Sequence, residues 1–224
     1  MKSILLTGCS KGIGKAVLDK LIELEEYKIY ALSKNIQSLE LNLPNVHVYP
    51  CDLANDIETE TVAKKIMADS GGIDILVNNA GVGLFKKVED ISLKEWSEVL
   101  AINLTATFIL TKTVMSKMKE NNRGKIINIT SDADHIGFSE GSLYCATKFA
   151  VRGFSDSIRD ELKGTGISIT TIGPGRVDTY FNGKKPGDRP ISLRASQVAA
   201  QVVHVISMEE TCGIERIYLK STLE

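Results

Sequence analysis

Two side chains that could exchange a proton near neutral pH, Tyr144 and Lys148, lie four residues apart in a segment of helical periodicity. Residues at this spacing rise from the same face of a helix. An ammonium beside a phenol favours the phenolate and lowers a pKa that is about 10 without neighbours. The pair could therefore act as a general acid and base. A surface tyrosine over a lysine stem has the same spacing, so the pair alone does not establish a site.

Two further polar residues lie where the same chemistry could use them. Ser131 ends a predicted strand and stands thirteen positions before Tyr144. Open α/β sheets bind ligands at the carboxyl ends of strands, so Ser131 is expected to face a cleft. Asn103 interrupts the apolar helical run Ala101-Ile102-Asn103-Leu104. Taken singly, Ser131 fits a helix cap and Asn103 a helix kink, but with the pair above they form one candidate constellation.

A glycine-rich turn, Thr7-Gly8-Cys9-Ser10-Lys11-Gly12-Ile13-Gly14, follows the first predicted strand and opens a helix. Glycines there permit a tight turn and let the backbone approach a pyrophosphate, whose charge is held by N–H groups at the helix N-terminus. The spacing differs from G-x-G-x-x-G, and a glycine-rich connection without a ligand gives a similar sequence. Its place after the first of seven predicted strands favours a dinucleotide.

Short apolar, β-branched runs alternate along the chain with longer segments of helical period. Each run is too continuous for a half-exposed antiparallel strand, which indicates a parallel sheet covered on both faces. The predicted strands are residues 3–7, 28–33, 46–49, 73–77, 125–130, 167–172 and 216–219. We therefore expect an α/β fold of Rossmann type, a doubly wound seven-stranded parallel sheet with helices on both faces, in a single domain over residues 1–224.

The starts of two helices can also be predicted from capping sequences. Asn55-Asp56-Ile57-Glu58 and Ser92-Leu93-Lys94-Glu95 are predicted capping boxes. Apolar residues recur every three or four positions from 142 to 162, which predicts one buried helical stripe that ends at Gly164 or Gly166. Residues 182–190 read as a long loop, within a variable substrate segment at about 180–193.

The chain has 224 residues, with 27 Lys and Arg against 28 Asp and Glu. This balance argues against nucleic acid or an anionic membrane as the main partner, and no run reaches the roughly 18 apolar residues of a membrane span. The four cysteines lie far apart and form no C-x-x-C pair, so a reducing, cytoplasmic setting and no metal site are expected.

Taken together, these motifs resemble the short-chain dehydrogenase/reductase family of NAD(P)-dependent oxidoreductases over almost the whole chain. The matching segments are the glycine turn, Asp52-Leu53, Asn78-Asn79-Ala80-Gly81, the group Asn103, Ser131, Tyr144 and Lys148, and Pro174-Gly175-Arg176-Val177-Asp178-Thr179. The residues expected to contact the dinucleotide are Gly8, Ser10, Lys11, Gly12, Ile13, Gly14, Ser33, Lys34, Asp52, Leu53, Asn79, Ala80, Gly81, Tyr144, Lys148, Pro174, Gly175, Val177 and Thr179.

The resemblance implies a catalytic role for each of four residues, which we call the catalytic four: Asn103, Ser131, Tyr144 and Lys148. Tyr144 would exchange the proton, and Ser131 would fix the carbonyl or hydroxyl oxygen. Lys148 would lower the tyrosine pKa and bind the nicotinamide ribose. Asn103 would hold a water in the proton relay.

The sequence also departs from the family pattern. Gly173 replaces the Asn that often precedes Pro-Gly, and Asp132, Asp134 and His135 follow the serine where small residues are usual. Asp134 and His135 could bind substrate or handle a proton, but a solvated loop pair is favoured. The basic residues near the variable loop could attract an anionic substrate, although solubilising residues are more common there; they are Arg176, Lys184, Lys185 and Arg189.

Cofactor choice can be predicted from the end of the second strand. NAD-selective folds place an acidic residue there, about 20 residues past the glycines. This chain has Ser33-Lys34-Asn35 instead, and Lys11 adds a second ammonium from the glycine turn. Two solvated lysines would look the same, but their common pocket favours NADP(H) over NAD(H) through charge-assisted phosphate bonds.

The leading hypothesis is an enzyme that reduces a small ketone or aldehyde, or oxidises the matching alcohol. A non-catalytic dinucleotide sensor is the alternative, and it would not need the catalytic four. Relatives pair through helices that here span about 93–119 and 142–162, so a homodimer is expected and a tetramer less so. Ile109, Leu110, Val114 and Met118 are the apolar candidates for this contact.

Overall fold

A computed structural model describes residues 1–36 and 43–223. Its strands are β1 (Lys2–Thr7), β2 (Tyr27–Leu32), β3 (Val46–Tyr49), β4 (Ile75–Asn78), β5 (Gly124–Ile129), β6 (Ile167–Pro174), β7 (Val177–Asp178), β8 (Leu193–Arg194) and β9 (Arg216–Leu219). Its helices are α1 (Gly12–Leu24), α2 (Asp56–Ser70), α3 (Leu93–Leu100), α4 (Ala106–Glu120), α5 (Ser142–Glu161) and α6 (Ala195–Ser207).

Seven of the strands form one parallel sheet in the order β3-β2-β1-β4-β5-β6-β9. The predicted fold class is thereby confirmed. The order reverses between β1 and β4, and a crevice at the carboxyl ends of strands beside such a reversal is where open α/β sheets bind ligands. The sixth strand runs two residues beyond its predicted end because Gly173 and Pro174 pair with Tyr218 and Leu219 of β9.

Both faces of the sheet are covered, which explains the continuous apolar runs. Ile4 and Leu6 of β1 pack with α1 and α6 on one face, whereas Leu5 packs with α2, α4 and α5 on the other. Alternate strand residues point to opposite faces, so a strand buried on both sides is apolar at most of its positions.

Two short strands were not predicted. β7 and β8 pair in parallel, with Val177 opposite Leu193 and Asp178 opposite Arg194. This pairing joins the two ends of the predicted variable segment 180–193, so the segment leaves and re-enters the domain at one place. Two-residue strands are too short to show a period.

The helix starts follow the predictions in part. Ser92 and Glu95 form the complete capping box of α3. Asn55 Oδ1 accepts from the Glu58 amide at 3.1 Å, but the Glu58 carboxylate accepts from the amide of Asp52 and not from that of Asn55. The predicted capping box at Asn55 is therefore only a single N-cap. Helix α5 ends at Glu161, before the predicted glycines.

The continuous helical stretch Leu93–Glu120 is long and apolar enough to cross a membrane by length and composition. Leu110, Val114 and Met118 on this stretch are each 1% exposed and pack against the sheet. They belong to the core, so their prediction as contacts between subunits is wrong. The apolar period cannot distinguish a face that covers its own sheet from one that meets a partner. Phe108 and Phe149, each 46% exposed, are the outward apolar residues of α4 and α5.

All four cysteine thiols are free, three of them buried and Cys212 exposed. Free thiols fit the expected reducing setting, and the cytoplasmic location stays a prediction.

Candidate active site

A cleft of about 990 Å³ opens at the carboxyl ends of the strands. Every residue predicted to contact the dinucleotide lines it, as do Ser131, Tyr144 and Lys148. Asn103 does not. These residues come from the glycine turn, the ends of β2 to β6, helix α5 and the segment after β6. The fold thus gathers almost the whole predicted set in one place.

The glycine turn has the geometry that an anion site needs. Gly8 and Gly12 have φ values of +66° and +61°, a region that side chains other than glycine rarely adopt. A Cβ on Gly14 would lie 2.2 Å from the Gly8 carbonyl oxygen, so the helix can approach the strand only with glycine there. The N-cap residue of helix α1 is Lys11, and no side chain makes a capping hydrogen bond to the first N–H groups of this helix. Its first N–H groups can therefore serve a bound phosphate.

The next strand holds this turn in place. Asn79 Nδ2 donates to the carbonyl oxygens of Thr7 and Gly8 at 2.8 and 3.1 Å. Thr7 Oγ1 accepts from the amides of Asn79 and Ala80, both at 3.0 Å. The Asn79-Ala80 motif thus braces the phosphate loop from the neighbouring strand, and it lines the cleft as well.

Ser131, Tyr144 and Lys148 lie together behind this turn. Ser131 Oγ caps a short 3₁₀ turn by accepting from the Ala133 amide at 3.2 Å, and it donates to Asp132 Oδ1 at 3.0 Å. Lys148 Nζ donates to the Ile129 carbonyl oxygen at 3.0 Å and lies 5.6 Å from the centroid of the Tyr144 ring. All three side chains are buried, so their bonds have little competition from water.

Burial dominates the acid–base properties of the pair. It raises the pKa of Tyr144 above its usual value, while the neighbouring Ser131 hydroxyl acts in the opposite direction. It also lowers the pKa of the Lys148 ammonium to about 8. The direction for Tyr144 is opposite to the expectation from the pair alone, because the loss of hydration on burial is the dominant cause of the shift. A phenol with a raised pKa is protonated at neutral pH and can donate its proton.

Asn103 occupies a π-helical turn, Ala101–Thr105, between α3 and α4. Its Oδ1 accepts from the Val82 amide at 2.8 Å, and its Nδ2 donates to the Val82 carbonyl oxygen at 2.9 Å and to Thr147 Oγ1 at 3.1 Å. Such turns occur often at functional sites. The Asn103 amide thus joins the segment after β4 to α5, the helix that carries Tyr144 and Lys148. Its predicted role in holding a water stays a prediction.

At the end of β2, Lys34 Nζ and Asp52 Oδ2 form an ion pair at 2.5 Å. The ammonium holds the pKa of Asp52 below its usual value. Lys11 Nζ lies over the Tyr180 ring, 5.9 Å from its centroid. Both predicted lysines line the cleft. The Lys34 ammonium, however, is already paired with the carboxylate of Asp52, which follows β3. The sequence does not indicate this neighbour, because Lys34 and Asp52 follow different strands, β2 and β3.

Of the two residues expected to form a solvated loop pair, His135 is exposed, whereas Asp134 differs from the expectation. Asp134 is not solvated: it is fully buried, and its Oδ1 accepts from Tyr218 at 2.9 Å and meets His135 Nδ1 at 2.8 Å. Neither Asp134 nor His135 lines the cleft, whereas Asp132 does. The burial comes from β9, which lies 84 residues away and carries Tyr218.

Among the basic residues near the variable loop, Arg176 and Arg189 line the cleft. Lys184 and Lys185 are exposed and lie outside its lining. Three phenylalanines, Phe85, Phe138 and Phe181, also line it, and sequence reasoning missed them. They come from separate loops without periodicity, so no local signal connects them.

Comparisons with known proteins agree with this geometry. The sequence model of the short chain dehydrogenase family matches residues 2–189. D-threitol dehydrogenase of Mycolicibacterium smegmatis is 34% identical over 196 residues, 84% of this chain and 75% of the relative. An alcohol dehydrogenase of the archaeon Thermococcus sibiricus, complexed with 5-hydroxy-NADP, superposes with a TM-score of 0.91 at 27% identity, covering 100% and 98% of the two chains. The closed form of a serine dehydrogenase with NADP⁺ gives 0.90 at 28% identity, covering 99% and 96%.

Proposed function

Because this chain belongs to the short-chain dehydrogenase/reductase family, we propose that it reduces a ketone or aldehyde with NADPH, or oxidises the matching alcohol. Membership alone makes it an oxidoreductase of alcohol or carbonyl groups that uses NAD(P). The observation that carries the finer proposal is the meeting of Ser131, Tyr144 and Lys148 with the glycine turn in one cleft.

The cleft fits a dinucleotide. Its volume, about 990 Å³, is at the upper end of what ligand pockets offer, and the uncapped start of α1 provides N–H donors for the pyrophosphate. The glycine turn and Asn79 would hold the phosphates, and Lys148 the nicotinamide ribose. When bound, the nicotinamide supplies or accepts the hydride.

The side chains of the protein handle the proton and the orientation. In the reductive direction the Tyr144 hydroxyl gives its proton to the carbonyl oxygen, and Ser131 Oγ holds that oxygen in place. The burial that raises the pKa of Tyr144 keeps the proton on the phenol until transfer. The Lys148 ammonium stabilises the phenolate that results.

The activity can be tested by following NADPH and NADH oxidation with a panel of aldehydes and ketones. We expect turnover with at least part of the panel. Tight dinucleotide binding without turnover of any carbonyl, or of any alcohol in reverse, would instead support the sensor hypothesis.

The cofactor preference rests on Lys11 and Lys34 at the adenosine end of the cleft. The double variant Lys11→Ala/Lys34→Ala should reduce the ratio of kcat/KM for NADPH over NADH by about 10-fold or more, because each charge-assisted phosphate bond contributes about 1.5–3 kcal/mol. Asp52→Asn should raise that ratio, since it removes a carboxylate that shares Lys34.

The matched control for the cofactor is Lys184→Ala/Lys185→Ala, which removes two lysines that lie outside the cleft lining. It should leave the ratio unchanged. Equal kcat/KM values for the two cofactors in the parent enzyme would contradict the NADPH preference.

We also propose that the enzyme is a homodimer through α4 and α5, where Phe108 and Phe149 are half exposed. Burying two large aromatic side chains in each subunit favours association. Light scattering should give a dimer mass at micromolar concentration, and Phe149→Glu should give a monomer because a charge would enter the apolar contact. Ile57→Glu, at an exposed position of α2, is the control and should remain dimeric. A monomeric parent protein would disprove the proposal.

A further inference from the structure

Two phenylalanine rings pack against the Tyr144 ring in the cleft, and a third packs against one of them. The ring centroids of Phe85 and Phe181 lie 5.6 and 5.5 Å from that of Tyr144, and Phe138 lies 5.4 Å from Phe85. We call Phe85, Phe138 and Phe181 the phenylalanine wall. Its members come from the segment after β4, the loop before α5 and the segment after β7. The wall is therefore assembled around the phenol by the tertiary fold.

The wall is built against glycine backbone. A Cβ on Gly83 would lie 2.6 Å from the Phe181 ring, and a Cβ on Gly141 would lie 2.4 Å from the Phe138 ring. Any side chain at either position would have to displace a ring. The Lys86 amide donates to the Glu140 carbonyl oxygen at 2.9 Å, which joins the loops of Phe85 and Phe138. These contacts fix the rings and give the wall a defined shape.

Part of this apolar surface faces solvent. Phe138 is 47% exposed, and the neighbouring Ile136, also in the cleft lining, is 48% exposed. Contiguous exposed apolar surface in a cleft marks a place where a ligand binds, since covering it removes apolar area from water. The reacting oxygen must lie at Tyr144 and Ser131, so the part of the substrate next to that oxygen covers the wall.

The wall itself has no hydrogen-bonding group. Among the polar groups that line the cleft, Asp132 Oδ1 accepts from Ser131 Oγ at 3.0 Å and Arg189 Nη1 donates to the Val177 carbonyl oxygen at 3.2 Å. Tyr180 and Asn182, which flank Phe181 in the chain, line the cleft as well. A substrate hydroxyl placed against the three rings would lose its water without gaining a partner. The surface of the three rings therefore disfavours the hydroxyl groups of polyols and small hydroxy carbonyl compounds.

We propose that the substrate is a carbonyl compound, or the matching alcohol, with an aromatic or bulky apolar substituent that packs on the phenylalanine wall. This inference rests on the proposed function, because it places the carbonyl oxygen at Tyr144. An aromatic ring of the substrate can meet Phe85, Phe138 and Phe181 in offset or edge-to-face contacts. Apolar substituents of other shapes would not provide these contacts.

The first test compares benzaldehyde and acetophenone with glyceraldehyde and dihydroxyacetone, using whichever nicotinamide cofactor the enzyme accepts. We expect kcat/KM to be higher for the aromatic compounds by about 100-fold or more, because desolvated hydroxyls remain unpaired on the wall. Equal or higher values for the hydroxy compounds would overturn the inference and leave the proposed function intact. Failure to turn over any carbonyl or alcohol would instead contradict the proposed function.

The second test uses Phe138→Ala, at a position exposed enough for the fold to tolerate truncation. The ratio of kcat/KM for benzaldehyde over acetaldehyde should fall by about 10-fold or more, mainly through KM for benzaldehyde, because acetaldehyde has too little surface to use the ring. Ile57→Ala on α2 removes similar exposed apolar surface outside the cleft and should leave the ratio as it is. An unchanged ratio in Phe138→Ala would also overturn the inference.

Discussion

Tyr144→Phe is expected to lower kcat by about 10²–10⁴-fold, the usual contribution of a positioned general acid. The substitution keeps the ring that packs between Phe85 and Phe181 and removes only the hydroxyl. Dinucleotide affinity should therefore change by less than about twofold, since the phenol acts on the proton in the transition state. Steady-state kinetics and fluorescence titration with NADPH would measure the two quantities.

The matched control for this substitution is Tyr49→Phe. That residue also loses a hydrogen-bonded hydroxyl, here bound to Asp69 at 2.6 Å, and it does not line the cleft. Its kcat should match that of the parent enzyme. If Tyr144→Phe kept a near-full rate, the proton would have to come from another group, and the proposed role of Tyr144 would fail.

Lys148→Ala is expected to weaken dinucleotide binding and turnover together. The ammonium is buried, so each hydrogen bond that it gives to a ribose hydroxyl contributes about 1.5–3 kcal/mol, equivalent to roughly 10-fold or more in Kd. Loss of the positive charge also removes the stabilisation of the phenolate of Tyr144, so kcat should fall by about 100-fold or more. Lys163→Ala, an exposed lysine beyond α5, should change neither quantity. Unchanged dinucleotide affinity in Lys148→Ala would contradict the double role.

The pH dependence gives a separate check on Lys148. Burial lowers its pKa to about 8, so the side chain carries its proton below that pH and loses it above. Activity in the reductive direction should therefore decline as the pH rises through about 8. Lys163→Ala should keep this decline, and the residual activity of Lys148→Ala should lack it.

The sequence by itself was sufficient for the sheet and for most of the residues that the fold gathers in the candidate cleft. Strands of a parallel sheet are covered on both faces, so each has a nearly continuous apolar sequence. This pattern can be recognised without knowing which strands are its neighbours. The glycine turn is equally local, because Gly8 and Gly14 are needed by the backbone of that turn. Tyr144 and Lys148 share a helix face for the same reason, since the helical period alone brings them together.

The burial of a side chain by a distant helix or strand could not be predicted from local sequence in this way. Leu110 and Met118 have the period of an apolar stripe, but only the packed helices show that the stripe faces the sheet of its own chain. Asp134 reads as a polar loop residue until β9 closes over it with Tyr218. In each case the deciding contact lies on another element of the fold.

The substrate side of the cleft, and the contact that Lys34 makes at the adenosine end, were decided by tertiary structure alone. Lys34 meets Asp52 across two strands, and the three rings of the phenylalanine wall come from loops about 40 to 100 residues apart that carry no period. Strands and helices repeat their geometry at every residue, so short-range sequence encodes them. The contacts between loops depend on where the chain returns after each crossover, and that path is fixed only when the whole sheet and its two helical layers pack together.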